Sequence, residues 1–256
     1  MPDATAPSAD STAAAAPAPA PAHGFIQHVT GLFFSPREEF PSILARPRFW
    51  LPLTVWLVLS VAFTAVWLQK VDAREFMRAQ IVESGRADKI PPDRMERVLD
   101  TQASFFRPIS WASVILAAPI LTLVVGGLYL FVFRFFYAGN LTFAQSLAIV
   151  AWSFFMLALV TTPLILAVMA MKGDWNINPQ EALQANVGMF LDRPPTTSKP
   201  LYKLAESLDL FSFWVLWLLS TGYGVATRRT TGSAAAGVLT VWAIYVLGKV
   251  ALAAIF

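Results

Sequence analysis

Residues 143–171 read FAQSLAIVAWSFFMLALVTTPLILAVMAM, 29 residues without one Asp, Glu, Lys or Arg. At ~1.5 Å per residue, a helix of that length exceeds the ~30 Å of bilayer hydrocarbon. The run is continuously apolar, without the alternation of a barrel strand, so helix is the form that can span. Four similar runs accompany it, at 49–68, 109–133, 210–226 and 234–256. Together the five contain one of the chain's 35 charged residues, Lys249, while the other 142 residues hold the remaining 34. That partition describes a membrane-embedded core with water-exposed connections. The predicted fold class is all-α, a polytopic membrane protein of five transmembrane helices with a charged helical hairpin after the first. The 29-residue run is overlong and should tilt or project; the 17-residue run at 210–226 only just spans.

The connections have distinct characters. Residues 1–24 carry ten Ala and five Pro with two charges, a tail too poor in bulky apolar surface to offset its ordering entropy. Residues 25–256 form the membrane domain. From Phe25 to Leu44 apolar residues recur at helical spacing on either side of Ser35 and Pro36. Ser35 suits an N-cap, Pro36 the first helical position, and Glu38 the capping-box position. Two short amphipathic helices are expected there, with Arg37, Glu38 and Glu39 on the wet side. They either lie on the membrane surface or pack against the protein's own face. Residues 70–107, with eight basic and seven acidic side chains, read as a water-exposed hairpin. A proline-broken connection covers 172–208, and a tight turn with Gly139 joins spans two and three. Trp50, Trp67, Trp111, Tyr137 and Trp175 stand near span ends as interfacial aromatics do.

Chemistry is sparse. Cysteine is absent, excluding disulfides and thiolate chemistry, and no basic run suggests nucleic acid. Intramembrane catalysis needs ionisable groups at depth, and no Asp or Glu lies within a span. Both histidines, His23 and His28, precede the first span, where His28 reads as a surface residue. No enzyme, cofactor or metal is expected. Lys249 and Arg134 read first as snorkelling anchors, and Asp209 as the N-cap of span four. Pro119 and Pro163 should kink their helices. Gly126, Gly127, Gly222 and Gly224 offer small residues for close helix approach. These features suit a scaffold that binds partners or shapes the bilayer. The alternative is a small transporter or its accessory subunit, for which Pro119, Pro163 and Lys249 speak.

The run Gly31-Leu-Phe-Phe-Ser-Pro-Arg-Glu-Glu-Phe40, with Arg46-Pro47 and Pro52 after it, resembles the start of the Yip-type membrane domain. Ala138-Gly-Asn-Leu-Thr-Phe-Ala-Gln145 is similar to that family's turn before its third span. Asn186-Val-Gly-Met-Phe190, Ser207-Leu-Asp-Leu-Phe-Ser-Phe-Trp214 and Gly222-Tyr-Gly224 resemble its closing half, particularly in bacterial members. The resemblance covers roughly residues 29–253. It implies five spans, a cytosolic N-terminus and, for a bacterial member, the cytoplasmic membrane. Partners would be lipid, other membrane proteins or a second copy. The eukaryotic acidic–Leu–Tyr–Gly–Pro signature is not present near the first span, so a Rab-type GTPase is not expected as a partner. Lys/Arg counts alone leave the orientation even, with six basic residues on the N-terminal side and twelve in the two long connections.

Overall fold

The computed structural model describes residues 23–255 apart from Arg86 and Pro195. The expected tail lies outside the described residues up to 22. His23 and Gly24, assigned to that tail, belong to the folded part: Gly24 precedes the first helix and His23 pairs with a side chain of the second. Among the described residues nine α-helices form and no β-strand does. They are α1 (Phe25–Phe34), α2 (Pro36–Ala45), α3 (Trp50–Lys70), α4 (Ala73–Glu83), α5 (Pro92–Phe135), α6 (Phe143–Lys172), α7 (Lys199–Ser207), α8 (Leu210–Ala226) and α9 (Thr231–Ile255).

Among the described residues four helices are long and apolar enough to cross a membrane: α3, α5, α6 and α9. The run at 210–226 becomes α8, whose 17 residues reach ~25 Å, at the lower limit of the roughly 17–25 residues a span takes. The second expected span is the inner part of α5, a single 44-residue helix. Its outer half pairs with α4 through Arg74–Glu96 at 2.5 Å, Arg78–Glu96 at 2.9 Å and Arg74–Asp100 at 3.2 Å. All four side chains are about half exposed or more, a solvated face that adds little stability. Helix α5 continues through Pro108 and Pro119, and α6 through Pro163.

The core is organised around α6. Residues Ser146 to Ser153 are buried without interruption, so that segment is enclosed on every side. Helices α3, α5, α8 and α2 all pack on it. Of the two placements open to the short helices, the structure takes packing against the protein. Leu32, Phe40, Ile43 and Leu44 are core residues, and Phe25 packs on Trp152 and Phe155 of α6. Packing on protein therefore governs α2 and the inner face of α1. Ile26 and Phe34 stay exposed, at 77% and 86%. The Ser35 hydroxyl makes no capping bond; instead its backbone carbonyl accepts from Glu38 and Glu39 N–H.

The connections gather in two groups. One joins α4 and the neighbouring ends of α3 and α5 to 173–209. Trp67 is buried against Phe76 and Phe106 and donates to the Trp175 carbonyl at 2.9 Å, so it is no interfacial aromatic. Asn176 donates to Glu75, and Arg193 meets Glu83 at 2.5 Å. The other group joins α2 to the two short turns, with Gln145 donating to the Leu44 carbonyl and Arg229 to the Tyr137 carbonyl.

Candidate functional site

Small residues let α5, α6 and α8 approach closely, and the contacts identify which ones matter. A Cβ on Gly126 would stand 2.7 Å from Leu147 Cδ2; one on Gly222 would meet Ile149 Cγ2 at 2.7 Å and the Phe40 ring at 2.9 Å. Gly127 has open space around it and takes no part. Through this seam runs a buried hydroxyl chain. Ser146 donates to the Gly126 carbonyl at 2.7 Å, so its contact with the Tyr223 hydroxyl at 2.6 Å is donated by Tyr223. The Tyr223 ring stacks on Phe133, centroids 4.5 Å apart and 3° from parallel. Helix association in lipid rests on this combination of close packing and interhelical hydrogen bonds.

At one end of the seam, two turns interlock. Helix α5 is closed by Gly139 N–H donating to the Phe133 carbonyl, and α8 by Arg229 N–H donating to Gly224. The left-handed positions fall on Ala138 and Arg228, with φ of +49° and +54°. Gly139 serves by its size: a Cβ would lie 2.6 Å from Thr227 Cγ2. Gly224 lies under the Arg229 and Thr230 carbonyls. Arg229 stands 5.5 Å over the Tyr137 ring, whereas Arg134 is exposed.

At the opposite end, Asp209 caps α8 as expected, accepting from Phe211 and Ser212 N–H at 2.9 and 3.1 Å. Lys249 is half-buried and lines a cavity of about 310 Å³ with Glu181, Arg193, Lys203, Glu206 and Tyr245. The charged group thus faces a polar recess. Burial, then the nearby Glu83 carboxylate, holds the Glu181 carboxyl above its ordinary value, against the opposing pull of Arg193.

The sequence pattern of the Yip1 domain matches residues 30–252. This chain belongs to the Yip1 domain family. It is a multi-pass membrane protein. Comparisons with curated proteins and with solved structures returned no match.

Several residues singled out in this Yip1 domain stand apart from the seam. Ser35 and Pro163 are exposed, Pro119 is half-buried, and Pro36 is buried at the first position of α2. What the sequence reading missed is a cluster on the inner face of α1 and α2. Glu39, placed on the wet side, is 5% exposed and takes the Nδ1–H groups of His23 and His28. His28 also sets its ring edge-on to Trp152, centroids 5.2 Å apart. Trp152 stands nine residues, ~13 Å, into α6. The carboxylate therefore reaches the bundle from outside any span. The available signal was period: Leu32, Phe40 and Ile43 share the helical face on which His28 and Glu39 fall.

Proposed function

We propose that this protein is a non-enzymatic scaffold of a bacterial cytoplasmic membrane, crossing it five times with its N-terminus in the cytosol. It acts by holding partner membrane proteins or a second copy, or by shaping the bilayer. The observation that carries this reading is the seam, whose hydroxyls are spent on joining α5, α6 and α8. Around it, α5 offers a long apolar face including Ile115, Leu116, Ile120, Val124 and Phe131. Support for a fifth crossing comes from the two ends of α8. It begins at Asp209 beside Asn186 of the hairpin-side connection and ends at Thr227 against Gly139 of the opposite turn.

Reporter fusions after Thr30 and Gly232 should read cytosolic, and one at Gly85 the other side. Matching signals at Gly85 and Gly232 would reduce the crossings to four. In-membrane crosslinking followed by co-purification should recover a stoichiometric partner or a dimer; a chain that stays monomeric and alone, and leaves liposome size unchanged, sinks the scaffold. A second reading, transport, is favoured by the charged cavity at Lys249. Loss of a measured flux in Lys249→Met, with insertion intact, would install it in place of the scaffold.

A further inference from the structure

We propose that His23, His28 and Glu39 form a binding site for one divalent transition-metal ion of the zinc type. Their ligand atoms lie within 4.8 Å of one another. His23 Nδ1 stands 3.0 Å from both Glu39 oxygens, and His28 Nδ1 contacts Oε1. Metal–ligand bonds of ~2.0–2.2 Å in a tetrahedral site put donors roughly 3.3 Å apart. Small rotations therefore seat an ion between the two Nδ1 atoms and the carboxylate, each imidazole binding through Nδ1 with its single ring hydrogen moved to Nε2.

Three features favour a cation over a plain hydrogen-bonded triad. The ion pairs of Glu39 among the described residues run to these two histidines, so two imidazole nitrogens and a buried carboxylate converge on one point. A dication would engage all three donors at once. The carboxylate is also fixed in place. Gly31 of α1 presses on it so closely that a Cβ would meet Glu39 Cδ at 2.7 Å. Finally, a cavity of about 170 Å³, lined by both histidines, Ser42, Arg46, Arg48 and Trp152, opens onto the cluster. At ~30 Å³ per water it has room for roughly five, enough for a fourth ligand. Two imidazoles and one carboxylate suit zinc and its neighbours; magnesium and calcium prefer oxygen.

The site would pin residue 23 to the bundle. The test uses the purified full-length chain in detergent, carrying no histidine tag, titrated with Zn²⁺ against a competing chelator. One ion per chain is expected, with no competition from Mg²⁺. His23→Ala and Glu39→Gln should each weaken binding by at least ~10-fold, since even an outer-shell partner is worth that much. Glu38→Gln, on the exposed neighbour, should leave it unchanged. Zn²⁺ should also raise the melting temperature of the parent and not of His23→Ala. If Glu39→Gln fails to fold, His23→Ala decides alone, because His23 precedes α1 and its side chain is 31% exposed. Equal affinity in the parent and His23→Ala, or no bound ion at all, overturns the proposal.

Discussion

The hydroxyl chain from Tyr223 through Ser146 to Gly126 has a direction, and direction makes its two ends unequal. Removing the donor end by Tyr223→Phe deletes one bond but leaves Ser146 donating to Gly126. The ring keeps its stacking on Phe133. The expected cost is about 0.5–1.5 kcal/mol, the net worth of one hydrogen bond, and bonds of this kind between membrane helices average nearer 0.6. Ser146→Ala is worse. It strands the Tyr223 hydroxyl at a position with no exposed surface, and an orphaned buried donor costs about 1–3 kcal/mol. The double variant has no orphan. Adding Tyr223→Phe to Ser146→Ala should therefore stabilise, although the same change destabilises the parent. The assay is reversible unfolding of the purified chain in mixed micelles, followed by tryptophan fluorescence, as a double-mutant cycle. If Tyr223→Phe costs as much in the Ser146→Ala background as in the parent, the two hydroxyls are not coupled and the reasoning fails.

Gly222→Ala should destabilise by about 0–2 kcal/mol, overpacking strain of about 1–3 offset by about 1 of helix propensity. Phe40→Leu should relieve it, since that ring is the Cβ's near neighbour; no relief in the pair would detach α2 from α8. Asp209→Ala removes two N–H caps from α8 and should cost about 0.5–2 kcal/mol, with Asp209→Asn nearly neutral, both read from the unfolding midpoint. Glu181 binds its proton more tightly folded than unfolded, so its contribution to stability falls as pH rises above 4.5 through the folded value. Glu181→Gln should melt higher at neutral pH and show a flatter acid-range profile; a parallel profile refutes this.

The long apolar helices were legible because a continuous apolar run is a property of composition, needing no knowledge of neighbours. Helices α6 and α8 match the runs at 143–171 and 210–226 to within a residue. The Asp209 cap was equally local, a carboxylate beside its own two N–H groups. The same logic failed at Ser35, where φ of −143° and ψ of 57° leave the hydroxyl without a capping bond. Which glycines mattered was not legible, because helices that are apolar all round show no stripe to say which side faces a neighbour. Gly126 and Gly127 differ only in what lies opposite. The Glu39 cluster was hidden for another reason. Local charge pattern put Glu39 with Arg37 and Glu38 in water, and only the folding of α2 back on α1 brings it to His23 and His28.

The enclosure of α6 also sets an order of events during synthesis. Ser146 and Tyr223 are 77 residues apart. At ~5–20 residues per second the ribosome needs about 4–15 s to deliver the second after the first. In that interval α6 has α5 beside it, and Ser146 can already bond to Gly126, but the flank destined for α8 has no occupant. The nascent bundle must enter lipid with one wall open and admit α8 afterwards from the side. Gly222, lacking a side chain, lets the late helix close into a slot already shaped by Ile149 and Phe40.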